Sequence, residues 1–385
     1  MKFLHISDLH LGRLLHRYSL QEEQTEMLER IRMIVRDENP DAVLIAGDVY
    51  DRSIPPVYAT QLLDQFLASL TKLTSVFMIS GNHDSAERLS FLSGPLQASR
   101  LYIAPVCRGS ISPITLTDSD GPVDIWLLPF VKPATIRAYF PEETIDSTND
   151  AVSCILRSLP IDPARRNVLV AHQFVAGGKA SGSEEAVSYA PQDVSVGGSD
   201  MVDARIFAPF DYVALGHIHR AQNVGSERIR YCGTPMAYDF SECGMEKSVT
   251  MVDLDGERHI SLRTILIPAP RELVELRGTF DELTSAAAIR QADKDAYTHV
   301  ILTDEVPVPD VINRLRQVYP RLTHLDWDNQ RTRSQDDFTG VSNVEKHTPL
   351  SLFGEFFQRM NGAGMSQEQE DYVNGLIHSI WEAKQ

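Results

Sequence analysis

Residues 42–51 read AVLIAGDVYD, an apolar run from Ala42 to Ala46 that stops abruptly at Gly47 and Asp48. A continuous apolar run of this length, closed by a glycine and a carboxylate, is the pattern of a strand buried on both faces that ends at a polar edge. The pattern recurs upstream in residues 2–10, KFLHISDLH, and downstream in residues 76–84, VFMISGNHD, 167–173, NVLVAHQ, and 212–219, YVALGHIH. Between the first two runs, QEEQTEMLERIRMIVRDENP (21–40) places Met27, Leu28, Ile31, Ile34 and Val35 at helical spacing, and Asn39-Pro40 ends the helix. A second helical pattern, from Tyr58 to Leu70, carries Leu62, Leu63, Phe66, Leu67 and Leu70 on one face. The chain therefore opens β-α-β-α-β, and a largely parallel sheet is expected to start the fold.

After Tyr231 the texture changes to short alternating strands, SVTMVDLD (248–255) and HISLRTILI (259–267), and Pro268 and Pro270 mark a domain boundary. Residues 271–328 have the pattern of a small α/β unit: strand ELVELRG, helix FDELTSAAAIRQA (280–292), strand THVILT, helix PDVINRLRQVYP and strand THLDWD. A polar stretch follows, read as a linker over 329–348. The last segment, 349–385, reads as two helices, one with Leu350, Phe353, Phe357 and Met360 on a face, the other with Val373, Leu376, Ile377, Ile380 and Trp381. The expected domains are thus 1–268, 269–328, the linker 329–348, and the helices 349–385.

At 385 residues the chain is too long for one ordinary core. No apolar run approaches the ~20 residues a membrane span needs, and Asp8 interrupts the short apolar N-terminal stretch that a secretory signal would keep intact. Four cysteines without CxxC spacing fit a reducing cytoplasm better than a disulfide framework. The net charge of −17, with no basic tract, argues against a protein that grips nucleic acid alone, because neutralised phosphates supply much of that affinity.

Each strand-end cluster holds groups that bind divalent cations: Asp8 and His10, Asp48, Asn82 and His83, His172, and His217 with His219. Singly, each is more often a surface pair, a cap or a satisfied core histidine. Jointly they are informative, since ligands gather at the carboxyl ends of strands in α/β sheets. The donor set of imidazoles, carboxylates and one amide, without thiolate, favours Mn²⁺, Fe or a mixed pair over a structural zinc site. So many donors suit two ions about 3.5–4 Å apart, the arrangement that supports in-line displacement at phosphorus. No GxxxxGK[ST] is present, so the glycine pairs at 177–178 and 197–198 read as a mobile polar loop rather than a phosphate cradle.

In order, Asp8-x-His10, Gly47-Asp48-x-x-Asp51, Gly81-Asn82-His83-Asp84, His172 and Gly216-His217-x-His219 resemble the motifs of the calcineurin-like metallophosphoesterases. More narrowly, SDLHLGR, GDVYDRSIPP, GNHDS, ALGHIHRAQ and YCGTP resemble the D subunits of bacterial SbcCD nucleases, closely over residues 1–265 and more loosely beyond. The resemblance implies an α/β fold of two stacked mixed sheets flanked by helices, with a small α/β cap domain and C-terminal helices. It implies two divalent ions, Mn²⁺ as the expected metal, one held by Asp8, His10 and His219, the other by Asn82, His172 and His217, with Asp48 between them. His83 would face the scissile phosphate, and the Asp51 carboxylate would orient it; Asp84 reads as a helix cap. The implied activity is 3′→5′ exonuclease on duplex DNA and endonuclease on hairpins and single strands, in repair, recombination and replication. The implied partner is an SbcC-like coiled-coil ATPase, with a homodimer of nuclease subunits inside a heterotetramer, which would reconcile DNA chemistry with an acidic chain.

Phe353, Phe357, Ile377 and Trp381 would form the docking face for that partner, the bland alternative being a hairpin packed on its own domain. Arg13, His16, Tyr18 and Arg52 are candidates for phosphate contact, although as surface residues they require no function. Two other readings stay open: a small-substrate phosphatase or phosphodiesterase of the same fold, and a non-catalytic interaction scaffold.

Overall fold

A computed structural model describes residues 1–91, 93–177, 200–329, 332, 349–361 and 364–382. Within it the chain forms two compact units, Met1–Arg271 and Glu272–Gln385.

The opening runs fold as read. Strand β1 (Lys2–Ile6) leads through α1 (Gln21–Glu38) to β2 (Ala42–Ala46), then through α2 (Val57–Leu70) to β3 (Ser75–Ile79) and, later, β4 (Leu101–Ala104). These four strands pair in parallel, with Leu4 beside Val43 and Val43 beside Val76. Asn39 takes a left-handed φ of 48° and closes α1, as the Asn-Pro stop predicts. A second sheet is built from β5 (Ile114–Asp118), β6 (Gly121–Leu128), β7 (Arg166–His172), β8 (Tyr212–Gly216), β9 (Gln222–Val224) and β10 (Ser226–Tyr231), with α3 (Thr148–Arg157) preceding β7. Its order is β9-β10-β8-β7-β6-β5. The chain then returns to the first sheet: β11 (Ser248–Leu254) lies antiparallel to β1, and β12 (Ile260–Leu266) completes the order β12-β11-β1-β2-β3-β4.

Two mixed six-stranded sheets therefore stack. Phe3, Leu44, Ala46, Phe77 and Ile79 from one meet Ile125, Leu127, Val168, Val170, Tyr212 and Ala214 from the other in a single apolar layer. Strand residues of alternate parity point outward, and the outer face of the second sheet (Trp126, Leu169, Val213, Leu215) packs on Val152 and Ile155 of α3. Burial on both faces explains why these strands read as unbroken apolar runs rather than alternating ones.

Strand β6 and helix α3 are not foreseen by the sequence reading. Asp124 breaks the apolar run GPVDIWLL, yet it is buried, accepting a 2.6 Å bond from Thr115 and pairing with Arg165 at 2.9 Å. Helix α3 starts at a capping box in which Ser147 and Asp150 satisfy each other's backbone N–H groups.

In the second unit, β13 (Leu273–Gly278), β14 (Tyr297–Leu302) and β15 (Leu322–Trp327) form a three-stranded parallel sheet. The single helix expected over 280–292 is two: α4 (Phe280–Leu283) and α5 (Ala286–Gln291), because the Ser285 side chain caps a fresh helix start at Ala288 N. With α6 (Val311–Val318), their apolar residues Phe280, Leu283, Leu315 and Val318 cover one face of the sheet against Val300, Leu302 and Leu322. Helices α7 (Pro349–Asn361) and α8 (Gln367–Glu382) follow. Most of the expected linker, the 197–198 glycine pair and the side chain of Trp381 lie outside the described residues. Among the described residues no helix is long and apolar enough to cross a membrane.

Candidate metal centre

The strand-end residues converge. Strands β1 and β2 run in parallel and end together, and the chain leaving each is laced to the other: Asp8 N–H donates to Gly47 O at 3.0 Å and His10 N–H to Asp48 O at 3.0 Å. Across the stack, β7 and β8 place His172 beside Gly216, so His172 and His217 emerge at one end of the second sheet. Asp8, His10, Asp48 and His217 all take positive φ, at 53°, 42°, 48° and 105°. Such backbone costs about 1–3 kcal/mol per residue outside glycine and gathers where function demands a particular aim. Two glycines allow the close approach. A Cβ on Gly216 would lie 1.9 Å from Ala46 O, and one on Gly47, at φ +83°, would lie 2.5 Å from His172 Nδ1.

Asp8, His10 and His219 bring ligand atoms within 4.8 Å of one another, as do Asp8, Asp48 and His172. Asn82 Oδ1 lies 3.0 Å from both His172 Nε2 and His217 Nδ1. Asp48 Oδ2 stands between the groups, 3.4 Å from His172 Nε2 and 3.9 Å from His10 Nε2. His10 Nε2 and His219 Nε2 face each other at 3.2 Å.

The donors fit a pair of cations. His172 donates Nδ1–H to Ala46 O at 2.7 Å, which turns Nε2 inward. Burial holds His10 well below the usual imidazole range, and burial with the neighbouring His172 holds His217 at about 3. Both are therefore neutral, the form that ligates metal. Burial opposes ionisation of both Asp48 and His172, but their mutual attraction outweighs it, keeping the carboxylate charged and lifting His172 to about 9, so a cation would take the place of the His172 proton. Burial also leaves His10 Nδ1 without a hydrogen-bond partner, with Asp51 Oδ1 distant at 3.9 Å.

Two expectations change. Asp51 meets His83 through its backbone: His83 donates Nδ1–H to Asp51 O at 2.8 Å, while the Asp51 carboxylate accepts from Arg13 at 3.0 Å. The chain turns after Tyr50 so that the carbonyl, not the side chain, faces the ring. Asp84 is not a helix cap, since Ser85 takes that place. Its carboxylate accepts from Gly81, Val49 and Tyr50 N–H at 2.9–3.1 Å and ties the loops after β2 and β3 together. Burial and the charge of Asp48 push its carboxyl up to about 6 despite those donors.

The His83 side chain is 40% exposed, beside Asp48, and its backbone N–H donates to Asp48 Oδ1 at 2.9 Å. Arg13 is held back against Asp51 and over the Tyr238 ring, while His16 lies 6.1 Å from the Phe240 ring. Tyr18 sits in a two-residue strand paired with Leu14–Leu15, and Arg52 is mostly exposed, 3.9 Å from Asp51.

Sequence reasoning missed the groups behind the donors. Glu242 accepts from His219 Nδ1–H at 3.2 Å and from Thr234 at 2.9 Å, and pairs with Lys247. Gln24, buried on α1, donates to His10 O at 2.8 Å and accepts from Gly12 N–H at 3.0 Å. Of these only Thr234, within YCGTP, falls in one of the resembling motifs.

Comparison with known proteins follows the same division. The family described as Calcineurin-like phosphoesterase matches residues 1–221, and the one described as Type 5 capsule protein repressor C-terminal domain matches residues 269–361. The chain is 29% identical over 384 residues to the D subunit of the SbcCD nuclease of Staphylococcus epidermidis, covering 99% of both chains. It is also 29% identical over 389 residues to that of Staphylococcus saprophyticus, again covering 99% of each. A dimetal phosphatase from Danio rerio aligns over 70% of this chain and 99% of its own at 12% identity, with a TM-score of 0.37.

Proposed function

Because the chain belongs to the calcineurin-like phosphoesterases, a family of metal-dependent hydrolases, we propose that it is the nuclease subunit of an SbcCD-type complex. In this reading it cuts duplex DNA ends 3′→5′ and opens hairpins and single strands, in cytoplasmic DNA repair, recombination and replication. The observation that carries it is the end-to-end similarity to two proteins named as D subunits of SbcCD nucleases, which spans the second unit as well as the first. Asp8, His10 and His219 would hold one divalent ion and Asn82, His172 and His217 the other, with Asp48 shared. Imidazole, carboxylate and amide donors without thiolate favour Mn²⁺ over a structural zinc. When bound, such ions polarise the phosphoryl group and acidify the attacking water.

The chain's own residues do the rest. His83, its Nδ1–H committed to Asp51 O, keeps Nε2 for the phosphate and for the proton the leaving oxygen needs. Asp84 and Gln24 hold the loops that carry Asp48 and His10. Glu242 orients His219, a carboxylate–histidine pairing that raises ligand basicity. The acidic chain leaves much of the DNA grip to an SbcC-like coiled-coil ATPase, docked on Phe353, Phe357, Ile377 and Trp381, in a heterotetramer built on a nuclease homodimer.

A small-substrate phosphoesterase would share this centre, and a scaffold would share the fold but not need the intact donor set. The deciding assay is Mn²⁺-dependent cleavage of an end-labelled duplex and a hairpin, with and without the co-expressed ATPase. Cutting that the partner and ATP enhance is expected. Hydrolysis of small phosphodiesters with no DNA cleavage in either setting would move the protein to the first rival.

A further inference from the structure

The second unit holds a cluster of metal-binding groups unrelated to the centre described above. One face of its three-stranded sheet is covered by helices; the opposite face carries Glu275 on β13, His299 on β14, and His324 and Asp326 on β15. Register sets Glu275 beside His299 and His299 beside His324, a row across all three strands. That row depends on a bulge. Thr298 pairs with Leu322 but His299 pairs with His324, so Thr323 is left over. In an unbroken strand His324 would share the core face with Leu322, since side chains alternate with period two. The extra residue turns it onto the polar face instead.

The atoms then converge. Asp326 Oδ2 lies 2.9 Å from His299 Nε2, Asp326 Oδ1 lies 3.1 Å from His324 Nε2, and His299 Nδ1 lies 3.1 Å from Glu275 Oε2. Ligand atoms of His299, His324 and Asp326 all fall within 4.8 Å of one another. Both nitrogens of His299 thus face carboxylate oxygens, and a neutral imidazole can donate to only one. Protonation of both ring nitrogens is one way to serve two carboxylates at this side chain, which is only 11% exposed. The alternative is Nδ1–H donating to Glu275 while Nε2 shares a cation with Asp326 and His324, the arrangement in which an outer carboxylate orients a ligating histidine.

We propose that His299, His324 and Asp326 form a Zn²⁺-class metal site on the face of the second unit's sheet, with Glu275 orienting His299. Two imidazoles and one carboxylate without thiolate leave a position for water, and the ion ties the outer strand β15 to the middle strand β14. The inference does not depend on the nuclease reading.

The test counts bound zinc in the full-length chain, stripped by chelator, re-equilibrated with saturating Zn²⁺ and measured by elemental mass spectrometry. His324→Ala and Asp326→Asn, both at exposed or half-exposed positions, should each bind one zinc fewer than the parent chain. Circular dichroism and Mn²⁺-dependent phosphodiester hydrolysis should be unchanged in both. Glu275→Gln should keep the ion with affinity lowered about 10–100-fold, as for other outer-shell partners. Equal zinc content in the parent and both folded variants would overturn the site. Absence of DNA cleavage with the zinc difference intact would sink only the nuclease reading.

Discussion

His83 is the one imidazole of the centre whose ring is both half-open to solvent and tied at its far nitrogen to a backbone carbonyl. That tie fixes which nitrogen faces the cleft, and the exposure of the ring, unlike that of buried His172, suits it to meeting a substrate and moving a proton. His83→Leu should therefore leave metal content unchanged in elemental analysis while lowering turnover by ~10²–10⁴, the usual loss for a general acid. Loss of metal from that variant would mean His83 is a ligand. At this scale the sequence was most readable where a side chain stands directly after a buried strand, because the local pattern then dictates where the residue emerges. His5 shows the other side: three residues before Asp8 and still inside the strand, it is a core histidine, bonded at 2.8 Å to Tyr212 and 3.1 Å to Leu215 O. The roles of Asp51 and Asp84 were misread because backbone turns, not residue types, decide which oxygen of Asp51 faces His83 and which N–H groups Asp84 collects.

The turn Phe240–Glu242 and Lys247, the residue just before β11, form a brace behind His219. Burial alone would raise the pKa of Glu242; the bond from His219 and the charge of Lys247 outweigh it and bring the carboxyl down to about 2, against an ordinary 4.5. A depressed acid binds fewer protons in the folded state, so its contribution to stability is fully present above about pH 4.5 and is lost as pH falls through 4.5 toward 2. Glu242→Gln should cost about 3–5 kcal/mol at neutral pH, because Lys247 stays buried without its carboxylate. The variant should also lose that acid limb. Urea unfolding of the metal-free protein at several pH values measures both, and curves superimposing on the parent at every pH would rule the brace out. No local pattern announces this element, since Glu242 lies 23 residues beyond His219 in a stretch without strand periodicity. Elements with a clean period were legible, whereas β6 was hidden by a buried Asp124 whose partners come from β5 and from Arg165.

The molecule as a whole carries a charge of −17 and two separate units, a combination that makes sense if another chain supplies the basic surface. Phe353 and Phe356 on α7, and Leu376 on α8, stay exposed, while Phe357 and Ile377 are half-buried. Deleting residues 345–385 should leave metal content and small-phosphodiester hydrolysis intact and abolish co-purification with the ATPase; retained co-purification would discard the docking role. The donor residues come from both stacked sheets, with Asp8, Asp48 and Asn82 on one side and His172 and His217 on the other. With ions held as proposed, the centre is also a rivet through the sandwich. Binding confined to the native state at 100 times Kd adds about 2.7 kcal/mol by mass action. Supply of the ion would then govern how long each molecule survives as well as how fast it works, and a chelator would act on this protein as a mild denaturant.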